Sequence, residues 1–205
     1  MNKPILLTLG LFTLLAATAQ ASQEQLATSM REARGEATRA TEQLKATLDS
    51  LNALTKQKEG DLRAAYNTFA AQLPRTENAA AWTRARVRWM AGDGLKYFAD
   101  WQRTIDSIAN ENLRKKAQKR LETARKGYDK VAAALQIASE KFGPFLSDLA
   151  DVQKVLANDV TAGGVKAVKS TVSSANGRFQ AVNSAVNNAL KEMQKMEESL
   201  STQAR

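Results

Sequence analysis

Between Arg114 and Lys130, eight of seventeen residues are cationic: Arg114, Lys115, Lys116, Lys119, Arg120, Arg125, Lys126 and Lys130, against the two acids Glu122 and Asp129. A local excess of six positive charges attracts phosphate and carboxylate groups over about a Debye length, ~8–10 Å at physiological salt. The same density also arises on a solvated helix face whose cations pair with acids on neighbouring helices, and both readings stand at this point. A second cluster joins arginines to aromatics: Trp82, Arg84, Arg86, Arg88 and Trp89, followed by Tyr97, Phe98 and Trp101. Such a mixture can stack bases or sugars or sit at a lipid interface. Trp82 and Trp89, however, are seven residues apart and share one helical face, so core packing is the expectation for them.

Most familiar chemistry is excluded by residue type. The chain has no cysteine and no histidine. Disulfides, thiolate metal sites, cysteine nucleophiles, histidine bases and the usual zinc sites are therefore all unavailable. No phosphate-binding glycine loop, Ser-x-x-Lys dyad or calcium-loop spacing occurs. Acidic residues are plentiful enough for a carboxylate pair to hydrolyse a glycan, but no pair stands out from the surface charges of a coiled coil. The expectation is a protein with no catalytic, cofactor-binding or metal-binding residues. The residues that remain as a candidate anion-binding set are Arg114, Lys115, Lys116, Lys119, Arg120, Lys126 and Lys130.

The first residues carry Lys3, an apolar stretch from Ile5 to Ala17, and Ala19-Gln20-Ala21 before Ser22. This is the layout of a secretory signal with a small-x-small cleavage site, and the stretch is too short to span a membrane. Residues 1–21 are expected to be removed between Ala21 and Ser22, leaving 22–205 as a single domain in the periplasm, with no transmembrane segment. The mature chain keeps 29 basic and 21 acidic residues, a net charge of +8. That charge suits anionic envelope components or acidic proteins as partners. Export takes the chain away from cellular nucleic acid, which is not expected as a partner.

Long helices must position these side chains. Prolines number three and glycines ten, and good helix formers dominate the remainder. Leu26, Met30, Ala33, Ala37, Ala40, Leu44, Thr47, Leu51 and Leu54 alternate steps of four and three, the seam of a helix packed along its length, spanning about Gln23 to Lys58. A second seam runs Leu113, Ala117, Leu121, Ala124, Tyr128, Val131, Leu135, Ala138, Phe142, Phe145, Leu149, Val152, Leu156. It keeps phase through Gly143-Pro144, which predicts one helix kinked there, since a hairpin would reset the phase. A third runs from Val165 through Phe179 to Leu200 with no polar position. Between the first two, Asp61 can cap a helix bearing Leu62, Tyr66, Phe69 and Leu73, after which Pro74 is expected to interrupt and Thr76 to cap a continuation toward Ile108.

Turns fall at Lys58–Asp61, Asn110–Asn112 and Asn158–Gly164. Short connections between long helices imply antiparallel neighbours, so the predicted fold is all-α, an elongated antiparallel bundle of about four coiled-coil-like helices. Periodicity fits four helices of one chain or helices of separate chains equally, and leaves the oligomeric state open.

From Asp100 the order of features, Asp100-Trp101, Ile108-Ala-Asn-Glu-Asn-Leu113-Arg114, Leu121-Glu-Thr-Ala-Arg125-Lys-Gly-Tyr128 and Phe142-Gly-Pro144-Phe-Leu146, with Asp151 and the Val165–Met193 helix, resembles a bacterial family of exported helical proteins, domain of unknown function 2959. The resemblance covers most of the mature chain and implies no activity that can be carried over. Many members look like lipoproteins with a cysteine after the signal. Ser22 stands at that position here, which favours a free periplasmic protein. The functional expectation is a non-enzymatic protein that binds or scaffolds at the envelope through basic helix faces. A holdase-like chaperone and a carboxylate-dependent envelope hydrolase are the alternatives.

Overall fold

Seams of this length produce four α-helices: α1 (Ile5–Lys56), α2 (Leu62–Asp106), α3 (Glu111–Asn158) and α4 (Ala162–Gln203). The structure, a computed structural model, describes residues 5–57 and 61–203, with side chains at 18, 20–57 and 61–202. Lys3 of the leader and residues 58–60 of the first expected turn lie outside the described residues. Among the described residues there is no strand, and the fold is an all-α helical bundle.

The helix ends follow from their capping residues. Asp61 accepts from the Ala64 amide at 3.0 Å, Asn110 from the Leu113 amide at 3.0 Å, and Thr161 from the Gly164 amide at 3.2 Å, each satisfying an amide that the first turn leaves unpaired. Gly164 is required at the α3–α4 turn because a Cβ there would lie 2.0 Å from the Asp159 carbonyl oxygen.

The helices run antiparallel, since residue numbers fall on one neighbour as they rise on the other. The chain divides into two compact units, to each of which every helix contributes one stretch. In the unit formed by Gly35–Arg84 and Ala133–Leu190, α1 meets α2 at Gln43–Gln72 (2.9 Å) and α4 at Asn52–Asn176 (2.9 Å). The Phe145 and Phe179 rings, 6.0 Å apart, join α3 to α4. One continuous apolar cluster fills it, from Leu44 and Leu51 through Phe69, Phe145 and Leu149 to Val172 and Val182.

In the other unit, Met1–Arg34, Ala85–Ala132 and Lys191–Arg205, α1 is tied to α4 by Gln23 donating to the Leu200 carbonyl (2.6 Å) and by Arg34–Glu197 (2.9 Å). There α2 packs on α3 through Phe98 against Tyr128, whose hydroxyl donates to the Met90 carbonyl at 3.3 Å.

All nine α1 seam residues are buried, as is the α4 seam apart from a half-buried Val186. Helix α3 is continuous through Gly143-Pro144, as its phase predicts. Several other expectations are corrected. Helix α1 begins at Ile5, well before Gln23. Pro74 does not interrupt α2. It sits on the exposed face, and the opposite face buries Phe69, Leu73 and Thr76, which offsets the ~3 kcal/mol that an internal proline costs. Thr76 is consequently no cap: its hydroxyl is buried and lies 2.7 Å from that of Thr47 on α1. Leu113 opens the α3 seam exposed, and Leu135 is half-buried while Ala134 beside it is buried. Trp82 and Trp89 do share a face, but it is the solvent face, 60% and 54% exposed. The buried side of α2 is Met90, Gly94, Tyr97, Phe98 and Ile105 instead.

Candidate anion-binding face

Helix α3 presents the basic segment because its core side is already committed. Leu121, Ala124 and Val131 are buried, and at 100° per residue Lys115, Lys119, Lys126 and Lys130 fall on the opposite side, spread over about 22 Å of helix. Lys116 and Arg120 flank that stripe on one edge, and Arg114 and Arg125 on the other. All eight cations are exposed.

Their pairing is sparse. Lys115 bridges to Glu111 at 2.7 Å, one turn back on the same helix. The Arg125 guanidinium lies 5.2 Å from the centre of the Phe98 ring, a cation–π contact that spends its charge on α2. Lys195 hydrogen-bonds Glu192 and holds its carboxyl below the usual range, with Lys130 adding to that effect through space. Arg114, Lys116, Lys119, Arg120 and Lys126 make no ion pair among the described residues. These cations therefore face outward, and among the described residues none of them forms an ion pair with an acid on an adjacent helix. The arrangement can hold several anionic groups in a row; among the described residues no cluster of three or more acidic or other ligating side chains is placed to hold a metal.

Close approach of α2 to α3 sets this face. A Cβ on Gly94 would lie 2.5 Å from the Tyr128 ring and hydroxyl, so only glycine admits that ring. Burial pushes the Tyr128 hydroxyl up to about 12, and the nearby carboxylates of Asp93 and Asp129 push in the same direction. Burial likewise raises the Tyr97 hydroxyl, against the smaller opposing effect of Arg120.

One ionic group escaped the sequence reading. Asp100 is 2% exposed in α2, bonded by Lys96 at 2.7 Å and by Arg103. Burial alone would raise its pKa, but hydrogen bonds from Lys96, Arg103 and the buried Ser22 hydroxyl outweigh burial and hold the carboxyl below its ordinary value. The spacing Lys96, Asp100, Arg103, four and three residues apart, is the signal that could have found it.

The arginine and tryptophan cluster lies along the continuous helix α2. Trp82 and Arg84 belong to one unit and Arg86, Arg88 and Trp89 to the other. Arg86 stacks on Trp89, 4.8 Å from the ring centre, and pairs with Glu32 of α1 at 2.7 Å.

No helix among the described residues is long and apolar enough to cross a membrane. No curated protein and no solved structure matches the chain. A family model described as protein of unknown function (DUF2959) matches residues 16–200, nearly the whole chain, and the protein belongs to that family.

Proposed function

We propose that the chain is an exported, non-enzymatic envelope protein that binds or scaffolds by laying the basic face of α3 against phosphate-bearing envelope surfaces, anionic lipid or lipopolysaccharide. The observation that carries this reading is the unmatched charge of the face: eight exposed cations, of which, among the described residues, one is ion-paired, to an acid of its own helix. Cations left in water at this density cost little in the free protein and gain by neutralising a charged surface, at about 1 kcal/mol per Lys or Arg near an anionic leaflet. The lack of histidine and cysteine supports a role without catalysis.

Export is supported by the change in burial across the expected cleavage site. Thr18, Gln20 and Ala21 are exposed, whereas Ser22, the first residue after the expected cleavage site, is buried against Asp100. Gln23 follows it, bonded to α4.

The test is a Lys115→Glu, Lys119→Glu, Lys126→Glu variant of the processed protein, assayed for co-sedimentation with vesicles containing phosphatidylglycerol and with lipopolysaccharide. The reading expects association to be lost with an almost unchanged melting temperature, and parental association to fall steeply as salt rises. Full retention of binding by the variant would refute it. Turnover of purified peptidoglycan by the parent would refute the non-enzymatic part.

A further inference from the structure

The unit that carries the basic face has a second surface feature, which the anion-binding reading does not use. An open groove of about 430 Å³ lies between α1 and α2, within the ~300–1,000 Å³ range of small-molecule sites. Trp89 forms one wall. A tryptophan more than half exposed leaves a large apolar ring in water, and the stacked Arg86 guanidinium, itself anchored by Glu32, holds that ring in place. Gly92 lines the groove, and a Cβ there would meet nothing within 4 Å. Around the ring stand planar polar groups of both kinds. Glu32 and Asp93 accept hydrogen bonds, Arg86 and Arg88 donate them, and Gln25, which donates to Asp93 at 3.5 Å, can do either.

This mixture selects among ligands. A phosphate-rich surface would bring several anions at once against the carboxylates of Glu32 and Asp93, whereas a single anionic group need only reach Arg88. An apolar helix would strand four charged side chains. A pyranose ring satisfies the set, because its axial C–H face stacks on an aromatic plane while its hydroxyls donate and accept around the rim. Of the four charges in the groove, Glu32 and Arg86 pair with each other and Asp93 accepts from Gln25; Arg88 is the cation that makes no ion pair among the described residues, and its fork matches a carboxylate. The geometry points to a binding site for a carboxylate-bearing glycan: one hexose ring stacks on Trp89, its hydroxyls meet Glu32, Asp93 and Gln25, and its carboxylate meets Arg88.

The site is independent of the α3 lysines and can fail separately from them. The probe is a tetrasaccharide of alternating N-acetylglucosamine and glucuronic acid, compared with the same tetrasaccharide after reduction of its carboxyl groups. Binding is read by Trp89 fluorescence in a Trp82→Phe, Trp101→Phe background and by calorimetry on the unaltered chain. Saturable binding of the acidic probe is expected, with at least tenfold weaker binding of the reduced one. Arg88→Ala should erase that difference, and Trp89→Ala should abolish binding of both. Gly92→Leu should also abolish binding by filling the groove, with the melting temperature held or raised, since leucine is the better helix former and meets open space. The inference is overturned if the acidic probe does not bind at millimolar concentration, if binding survives Gly92→Leu, or if it is lost in the Lys115, Lys119, Lys126 variant and kept in Trp89→Ala.

Discussion

The two units are built from the same four helices and differ in what their seams spend. The unit of Gly35–Arg84 and Ala133–Leu190 has a core of Leu, Val and Phe, and its charges nearly cancel, with 12 basic against 10 acidic residues. The other, counted from residue 22, holds 17 basic against 11 acidic residues. Its buried positions include Gly94, Tyr97 and the charged Asp100. It also carries the α3 face and the Trp89 groove. Both units bury apolar side chains, Leu26, Met30, Met90, Ile105 and Met193 among them in the second, but the excess of positive charge lies in the second alone. The contrast teaches that a uniform heptad pattern can carry two different assignments, distinguished by the residues that interrupt it.

The largest expected effect lies in the first of these units. Phe179→Ala removes a buried ring that packs on Phe145 and should cost about 3 kcal/mol in urea unfolding. A loss below about 0.5 kcal/mol would place that ring outside the core.

Next is Gly94→Ala in the other unit. Its Cβ would enter the Tyr128 ring, and overpacking of this kind costs ~1–3 kcal/mol against a helix-propensity gain of about 1 kcal/mol. Net destabilisation is expected, and Tyr128→Leu in the same chain should recover much of it. Recovery would be absent if the two helices were not held at that distance.

Asp100→Asn should have a smaller effect, about 1–2 kcal/mol, as hydrogen bonds to a charged group are lost while Lys96 and Arg103 remain solvated. Its pH dependence has a definite sign. The folded pKa lies below the ordinary carboxylate value, so the contribution is complete above about pH 4 and is lost as pH falls through the folded pKa. The stability gap between parent and variant should therefore narrow below pH 4, and a gap that is constant down to pH 2 would rule out the ion pairs as its source.

How much of this was legible in the sequence differs from helix to helix. The α1 and α4 seams could be read residue by residue, because Leu, Val and Met at steps of three and four have one burial solution. Helix α2 could not. Two of its three tryptophans, Trp82 and Trp89, define a solvent face, and its core side is made partly of Tyr97 and of a glycine against which Tyr128 of α3 packs closely. Thr76 looked like a cap because local capping is visible in one segment, whereas its bond to Thr47 joins residues 29 positions apart. For the candidate site, outward projection of the α3 cations followed from the seam. Their want of partners did not, because it depends on which acids the neighbouring helices present.

The smallest expected change in stability comes with the change in binding that matters most. Two triple charge reversals alter the net charge equally: Lys115, Lys119 and Lys126 to glutamate on the α3 face, and Lys141, Lys166 and Lys169 to glutamate in the other unit, all six being exposed lysines. Each reversal should shift stability by no more than about 0.5 kcal/mol. Co-sedimentation of both variants with phosphatidylglycerol vesicles at one ionic strength compares the units directly. The account predicts loss of binding for the first variant and retention for the second. Equal weakening of both would mean that net charge alone drives association, and the assignment of binding to the α3 face would be contradicted.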